Sequence, residues 1–347
     1  MKITRRAVLY IGYKCNLNCS FCYYHFMKNK KWKPILIAKI EALIYRVIFG
    51  NNRLDLTGGE PTIYPNIVSL VKFCKCIGLR PSIITNGIAL ADNNKVIELK
   101  KAGVYDYLIS VHGLNNVYDE MVGSKGKFEL QNIGIQNLLK NDIPFRANVT
   151  ITKFNKTQLV DIAKYCIDKG AQVVNFICFN PFYEWEKLSK IDFQERHSKI
   201  APYLKQAIDI LNEKQIETNI RYFPFCLLKG YEKHQYNFYQ LSYDSHEWDF
   251  MSWHRNYKLV IPYLINRFVL YRPKEKLSHY YYEDVNIDAK MLYLKKDKCN
   301  NCSLSNICDG LKIQYINRFT DEELDPYSGN IINDTTYYIK EQFKICD

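Results

Sequence analysis

Short apolar runs alternate with segments of helical spacing along the first two thirds of the chain. Strand-like runs are predicted at residues 6–12, 53–56, 81–85, 105–111, 145–152 and 173–179, followed by 217–223. Apolar residues recur every three or four positions at residues 34–49, 64–77, 93–101, 128–139, 156–169 and 192–214. Strands that alternate with helices indicate a parallel sheet with crossover helices. The pattern predicts an α/β fold, namely a partial (β/α)6 TIM-like barrel.

The alternation ends near residue 223. Residues 222–257 hold 12 aromatics in 36 positions, which suits either a packing layer or an apolar pocket wall. A chain of 347 residues is long enough for one large domain and a smaller one. We therefore predict a barrel over residues 1–223. Residues 224–347 are predicted to form an aromatic-rich connector and a small C-terminal domain.

Three cysteines lie on one loop directly after the first predicted strand. Cys15, Cys19 and Cys22 follow the spacing Cys-x3-Cys-x2-Cys, with Phe21 before the third cysteine. A cubane [4Fe–4S] cluster normally takes four cysteines, so three leave one iron open to a ligand from outside the protein. The alternative is a structural zinc site with His25 as the fourth ligand.

The second predicted strand ends in a glycine pair and an acid. Gly58, Gly59 and Glu60 offer exposed backbone groups and a carboxylate, which suit a small molecule carrying an ammonium and a carboxylate. A plain turn is the alternative, because glycine and proline commonly mark turns. The position directly after a strand is the carboxyl end of the predicted barrel, where such folds gather their chemistry.

The cysteine loop and the glycine-acid segment together resemble the radical S-adenosylmethionine (SAM) superfamily over roughly residues 5–223. The resemblance implies a [4Fe–4S] cluster on the three loop cysteines, with SAM on the open iron and its ammonium at Gly58, Gly59 and Glu60. It implies reductive cleavage of SAM to a 5′-deoxyadenosyl radical that abstracts a substrate hydrogen. A flavodoxin or ferredoxin electron donor is implied by the same chemistry.

Polar residues also close the third and fourth predicted strands, and one lies in the middle of the fifth. By the same resemblance, Asn86 and Ser110 are expected to contact SAM. His112 is interpreted as either a hydrogen-bonded structural residue or a catalyst, and Asn148 is expected to face the barrel interior. The glycine-containing segment 113–127 is expected to be a long loop, either a substrate cover or a plain surface loop.

A second group of cysteines lies near the C-terminus. Cys299, Cys302 and Cys308 form a compact Cys-x2-Cys-x5-Cys unit, and Cys226 is the expected fourth ligand. Four thiolates close a [4Fe–4S] cluster or a zinc site. The unit resembles the SPASM and twitch extensions of radical SAM enzymes. Because Lys312 stands where a further cysteine would be expected, one auxiliary [4Fe–4S] cluster is predicted.

The remaining cysteines and the lack of a signal peptide bear on the redox compartment of the protein. Cys346 is a spare ligand candidate or a free thiol, while Cys74, Cys76, Cys166 and Cys178 are assigned to the core. Clustered cysteines without a signal peptide favour metal binding in a reducing cytoplasm.

The net charge is +12, with Lys28, Lys30, Lys31 and Lys33 in one cluster. A solvated basic face or an anionic substrate is favoured over nucleic acid.

The apolar runs also bear on membranes. No run of 18 apolar residues suggests a membrane span. The apolar segment 259–265, broken by Pro262, is interpreted as a buried or lid segment, with peripheral membrane contact as the alternative.

The sequence predicts a radical SAM enzyme that modifies a small anionic metabolite of sugar or nucleotide type, or a ribosomal peptide. The barrel begins within ten residues of Met1, which leaves no room for an N-terminal peptide-recognition domain and weakens the peptide alternative. Whether the outcome is oxidation, isomerisation or bond formation stays open. The rival is a non-catalytic iron–sulfur or zinc protein that binds a partner through its basic face.

Overall fold

The computed structural model describes residues 6–22, 24–25, 30–47, 50–181, 191–237, 239–240 and 293–345. The chain divides into two compact units. The larger unit comprises Leu9–Phe223 with Gln342–Asp347, and the smaller comprises Met1–Val8 with Pro224–Glu341. The predicted segment 259–265, Lys28, Cys346 and half of the aromatic-rich stretch lie outside the described residues.

Seven parallel strands form a curled half-barrel, which confirms the predicted α/β fold. The sheet order follows the chain order, so each strand pairs with its sequence neighbours. The strands are β1 (Arg6–Tyr10), β2 (Arg53–Thr57), β3 (Arg80–Thr85), β4 (Asp106–Ser110), β5 (Phe145–Ile151), β6 (Val173–Cys178) and β7 (Glu217–Arg221). Consecutive parallel strands in this order need a crossover after each strand, and the sequence supplies helices there.

Helices lie between the consecutive strands, and capping residues and glycines mark the ends of some of them. They are α1 (Ile35–Val47), α2 (Ile67–Cys76), α3 (Asn93–Ala102), α4 (Asn115–Val122), α5 (Lys127–Lys140), α6 (Leu159–Asp168) and α7 (His197–Glu213). Asp92 caps α3, since its carboxylate accepts a hydrogen bond from the Asn94 amide at 2.9 Å. Gly103 ends α3 with a φ of 102°, a left-handed conformation that favours glycine.

The two faces of the sheet differ in chemistry because side chains alternate along each strand. Buried aliphatic residues such as Ile83, Ile109 and Val149 occupy one face. The other face holds a buried ion-pair group. Arg146 Nε lies 2.9 Å from the Asp106 carboxylate, and Arg146 Nη2 lies 3.7 Å from that of Asp55. One arginine on β5 therefore links buried carboxylates of β2 and β4, and breaking a buried ion pair by removing one partner is strongly destabilising.

The predicted loop 113–127 is wrong in part, because α4 occupies its middle. Tyr118, Met121 and Val122 are buried on this helix, so its apolar spacing serves packing. Cys76, assigned to the core from the sequence, is exposed at the last residue of α2, whereas Cys74, Cys166 and Cys178 are buried. Among the described residues, no helix is long and apolar enough to cross a membrane.

Within its described residues, the smaller unit contains only short elements. Strands β8 (Tyr293–Leu294) and β9 (Leu311–Lys312) pair antiparallel, and helix α8 (Ile313–Phe319) follows directly. Single 3-10 turns lie at Phe225–Leu227, Asp297–Cys299 and Ser305–Ile307.

Candidate functional site

The cysteine loop is anchored by two apolar side chains that point into separate clusters. Leu17 packs with Ile88, Tyr118 and Val122. Phe21 packs with residues that include Met121, Phe179 and Phe193. Because α4 contributes to both clusters, this helix is the platform on which the loop rests.

The three thiols of the loop have different exposures. Cys15 is exposed, whereas Cys19 and Cys22 are half-buried. The Leu17 amide donates to Cys15 Sγ at 3.4 Å, and the Tyr24 amide donates to Cys22 Sγ at 3.4 Å. Hydrogen bonds to sulfur are among the features that tune an iron–sulfur cluster. The set of three cysteines on one loop, with amide donors at two of them, fits a cluster that the protein ligates at three corners.

Burial alone would keep all three of these thiols protonated. It raises the pKa of the Cys15 thiol to about 11 and the pKa of the Cys19 and Cys22 thiols above their ordinary values, and the neighbouring thiol Cys22 adds to the effect on Cys19. A bound metal reverses this preference, because a coordinating thiol is deprotonated outright. His25, the zinc alternative's fourth ligand, donates its backbone N–H to the Cys22 carbonyl at 2.9 Å.

Gly58 and Gly59 let the end of β2 lie directly against the start of the cysteine loop. The Gly59 amide donates to the Gly12 carbonyl and the Glu60 amide to the Lys14 carbonyl, both at 2.8 Å. A Cβ on Gly58 would lie 1.9 Å from the Gly12 oxygen, and one on Gly59 would lie 2.0 Å from the Lys14 oxygen. The glycine pair thus fixes the loop to the sheet, and its predicted contact with SAM stays a prediction.

We expect Gly59→Ala to displace the cysteine loop, because the clash is with backbone that cannot rotate away. Overpacking of this kind destabilises a protein by about 3 kcal/mol. Both the iron bound at the first cluster and the urea midpoint of unfolding should fall. Gly126→Ala is the control for an added methyl group without a backbone clash, since nothing lies within 4 Å of its Cβ position; its left-handed φ of 71° adds local strain, but it should keep its iron. Iron content in Gly59→Ala equal to that of the control would contradict this role.

Glu60 is a buried junction between the ends of β2 and β3. Its Oε1 accepts hydrogen bonds from the Thr62 amide at 3.0 Å, the Thr62 hydroxyl at 2.5 Å and the Thr85 hydroxyl at 2.6 Å. Its Oε2 accepts from the Asn86 amide at 2.8 Å. Burial raises the pKa of the carboxyl, and these donors oppose that rise. Whatever it binds, Glu60 orders the neighbouring strand end.

Asn86 carries this order to the cysteine loop. Its side-chain amide donates to Asn16 Oδ1 at 2.8 Å, and Asn16 lies between the first two loop cysteines. The same nitrogen lies 3.9 Å from Cys15 Sγ. The predicted SAM contact of Asn86 is untested, but its position beside the first cysteine agrees with a role at the cluster.

Gln131 is a buried residue of this site that sequence analysis missed. Its side-chain nitrogen donates to the Asn86 carbonyl at 2.7 Å and the Ser110 carbonyl at 3.0 Å, and contacts the Tyr118 hydroxyl at 3.0 Å. No described residue donates to its buried side-chain oxygen. A polar residue inside α5 carries no motif, so only the fold brings it to the ends of β3 and β4.

Ser110 and Asn148 are register neighbours on β4 and β5. The Asn148 side-chain oxygen is buried, and no described residue donates a hydrogen bond to it. Buried polar atoms of native proteins usually have a partner, so this oxygen suits a bound donor such as a hydroxyl or an amine. An orphaned acceptor beside Ser110 therefore fits the predicted SAM-binding side of the barrel.

His112 lies against the cysteine loop. Its Nδ1 accepts from the Thr150 amide at 3.1 Å, which places the proton of the neutral ring on Nε2. The ring meets Phe21 edge-on, with 4.9 Å between centroids. Burial lowers its pKa to about 4, so the imidazole is neutral at physiological pH and acts as a hydrogen-bond donor.

The second cysteine group converges in the smaller unit. Cys226, Cys299, Cys302 and Cys308 line one cavity together with apolar residues that include Phe225 and Leu324. All four thiols are half-buried. The Tyr327 amide donates to Cys302 Sγ and the Gly310 amide to Cys308 Sγ, both at 3.4 Å. Four thiols around a shared apolar cavity fit a group that the protein ligates at every corner.

Two apolar clusters enclose this cavity. Phe225, Leu304 and Ile307 pack beside Cys302 and Cys308. Leu311, Tyr315 and Leu324 pack beside Cys226 and Cys299. In the part of the chain that the structure describes, no three His, Cys, Asp or Glu side chains meet around a point that suits a single metal ion. Lys312, at the position where a further cysteine would be expected, is buried in β9.

Comparisons with known proteins find one matching family model and several relatives. Residues 9–166 match the family model of the radical SAM superfamily. A probable GTP 3′,8-cyclase from Sulfurisphaera tokodaii is 25% identical over 214 residues, covering 60% of this chain and 66% of that protein. The sporulation killing factor maturation protein SkfB of Bacillus subtilis is 27% identical over 186 residues, covering 52% of this chain and 45% of that protein.

The fold is shared with a solved structure. Streptococcus suis SuiB bound to S-adenosylmethionine superposes with a TM-score of 0.52 at 20% identity, covering 63% of this chain and 50% of that one. At this identity the likeness is one of fold. The chain spans between 45% and 66% of the length of the two curated relatives.

Proposed function

The chain belongs to the radical SAM superfamily, and from that premise we propose that it is an enzyme that reductively cleaves SAM and abstracts a substrate hydrogen. The chemistry that a reduced [4Fe–4S] cluster and SAM supply when bound is one-electron cleavage to methionine and a 5′-deoxyadenosyl radical. The observation that carries the proposal is the three-cysteine loop held against the Gly58–Gly59 backbone and Glu60. A plain metal-binding loop does not need this second segment.

The protein's own residues would hold the cluster and orient its surroundings. Cys15, Cys19 and Cys22 supply the thiolates, while Leu17 and Phe21 fix the loop on α4. A site held by packing on several elements keeps its geometry as charge and ligands change. The fourth corner is left to SAM.

SAM is proposed to lie along the ends of β2 to β5. Gly58, Gly59 and Glu60 are the proposed neighbours of its ammonium, and Asn86 and Ser110 are proposed further contacts. The Asn148 oxygen, for which the described residues provide no donor, would accept from a hydroxyl or amine of a bound molecule. The neutral ring of His112 would donate a hydrogen bond through Nε2 and would itself carry no charge at this position.

We further propose one auxiliary [4Fe–4S] cluster on Cys226, Cys299, Cys302 and Cys308, in a SPASM/twitch-like domain. Four thiolates leave no iron open, so the group suits electron transfer better than substrate binding. The amides at Cys302 and Cys308, together with the apolar lining, would set its potential. Support comes from the convergence of the four thiols on one cavity.

Removal of one auxiliary ligand tests this assignment. In Cys308→Ser, we expect iron to fall from about eight to about four atoms per chain after anaerobic reconstitution. The first cluster should still bind SAM, because its ligands lie on a different segment. Cys76→Ser is the matched control, since this exposed thiol lies outside both groups. Unchanged iron in Cys308→Ser, or about four atoms in the unmodified protein, would contradict two clusters.

The substrate is proposed to be a small anionic metabolite of sugar or nucleotide type, or a ribosomal peptide. The net charge of +12 favours an anion. The relatives include a protein named as a GTP cyclase and one named for maturation of a killing factor. A flavodoxin or ferredoxin is the proposed electron donor, and the cysteine chemistry agrees with a reducing cytoplasm.

Substrate class can be tested by fractionation. The reconstituted, dithionite-reduced protein is supplied with SAM and with host-extract fractions separated into small anions and peptides. Stimulation of 5′-deoxyadenosine formation by the anion fraction supports a sugar or nucleotide substrate, whereas stimulation by the peptide fraction supports a peptide. Equal rates with both fractions and with buffer would contradict both substrate classes.

A further inference from the structure

Helix α1 presents an aliphatic surface to solvent. Six of its 13 residues are large apolar side chains that remain more than a third exposed. They are Leu36 (66%), Ile37 (45%), Ile40 (45%), Leu43 (43%), Ile44 (38%) and Val47 (64%). Their spacing of three or four residues places them on one side of the helix, so they form one continuous stripe. We name these six residues the α1 stripe.

The barrel does not use this surface. The opposite side of α1 carries Ala38, Ala42 and Tyr45, and these are the buried residues of the helix. Both faces of α1 are therefore apolar, although only one packs in the fold. A helix that is apolar all round is normally buried on all sides. Contiguous exposed apolar patches of this kind mark interaction sites on proteins or membranes.

The charges around the α1 stripe are predominantly positive. Lys30 and Lys31 precede the helix, and Lys39 lies on α1 between the stripe and the buried side. Arg46 lies on the same side as Lys39, with its guanidinium donating to the Ile77 and Asn51 carbonyls. The acidic residue of the helix, Glu41, forms an ion pair with Lys33, so its charge is balanced. An apolar stripe with a cationic border matches a surface that is apolar inside and anionic outside.

We propose that the α1 stripe docks this protein on an anionic lipid bilayer, with α1 lying in the plane of the interface. Interfacial helices bury their aliphatic side below the headgroups and place Lys and Arg among them. The composition of the stripe favours lipid over a protein partner. It contains only Leu, Ile and Val, whereas protein interfaces are enriched in aromatic residues, Met and Arg.

Vesicle co-sedimentation of the full chain, reconstituted anaerobically, tests the proposal. Vesicles of phosphatidylcholine with about one third phosphatidylglycerol provide an anionic surface, and pure phosphatidylcholine provides a neutral one. We expect binding to the anionic vesicles that weakens with added salt. The triple variant Leu36→Ser, Ile40→Ser and Leu43→Ser should lower the partition coefficient at least about tenfold, because interfacial binding scales with buried apolar area.

A matched control separates the stripe from general hydrophobicity. Leu139 on α5 and Ile331 are 42% and 64% exposed, close to Leu43 and Leu36. The double variant Leu139→Ser and Ile331→Ser should bind vesicles like the unmodified protein. All variants change exposed residues, and circular dichroism should show that they fold alike.

Three results would overturn the proposal. The first is an absence of binding to anionic vesicles, and the second is equal loss in the stripe variant and the control. The third is a dimer, measured by light scattering, that the stripe variant alone converts to monomer, because the stripe would then be covered by a second copy. None of these readouts depends on SAM cleavage, so the docking and the proposed activity can fail independently.

Discussion

The triple variant Cys15→Ala, Cys19→Ala and Cys22→Ala is expected to lose the first cluster while the barrel stays folded. These thiols are ligands on an exposed or half-buried loop, whereas Leu17 and Phe21 carry the packing that holds it. After anaerobic reconstitution, iron should fall by about four atoms per chain. SAM cleavage should fall to the background of a protein-free reaction, because no corner remains for SAM.

Two comparisons make this result specific. Cys76→Ala removes an exposed thiol outside both groups and should leave iron and cleavage unchanged. The thermal midpoint of the triple variant without iron should stay close to that of the unmodified protein without iron. Full iron content in the triple variant would contradict the assignment of these three ligands, even if cleavage were lost.

The second large effect is expected at Glu60. Glu60→Gln keeps one oxygen for Thr62 and Thr85 but turns its side-chain amide NH2 toward the Asn86 backbone N–H, so two donors face each other in a buried position. Hydrogen bonds to charged groups contribute about 1.5–3 kcal/mol each. The free energy of unfolding should fall by about 2–3 kcal/mol. SAM affinity should fall with it, since Asn86 also orients the loop at Asn16.

Iron content separates these two consequences. Because Glu60 is not a ligand, the variant should retain the first cluster when it is reconstituted below its unfolding temperature. Glu98→Gln on α3 is the matched control, since Glu98 is exposed, and it should change neither stability nor SAM affinity. SAM affinity and unfolding free energy both equal to those of the unmodified protein would contradict the role of Glu60 as a buried junction.

Much of the fold could be predicted from the chain because its local signals agree with one another. Six strand-helix units precede β7, and glycines such as Gly103 and Gly170 mark the ends of helices with left-handed backbone. These patterns are local, so a sequence window contains them. The parallel order from β1 to β7 follows, because each strand is joined to the next through a helical segment.

The site is harder to predict from the sequence than the fold, because contacts between distant segments determine it. Gly58 and Gly59 were interpreted from the sequence as a ligand-binding segment. The structure shows a packing reason for both, since the Gly12 and Lys14 carbonyls occupy the space of a side chain. The motif alone does not predict which backbone segment packs against these glycines.

Helix α4 and Gln131 show two further limits. The glycines of segment 113–127 predict a loop, whereas the short apolar spacing of Tyr118, Met121 and Val122 is that of the helix found there. No local sequence pattern identifies Gln131, because its role is to donate hydrogen bonds to the ends of two strands at once. The short helix was recoverable from the sequence, whereas the buried amide needed the structure.

The measurement that tests the central claim most directly is 5′-deoxyadenosine formation by the reconstituted protein. The protein is reduced with dithionite under anaerobic conditions, given SAM, and sampled over time by liquid chromatography with mass spectrometry. We predict 5′-deoxyadenosine and methionine in equal amounts, and neither product with the Cys15, Cys19 and Cys22 triple variant. No 5′-deoxyadenosine from a protein that carries its full iron would contradict the enzyme assignment and favour a non-catalytic iron–sulfur protein.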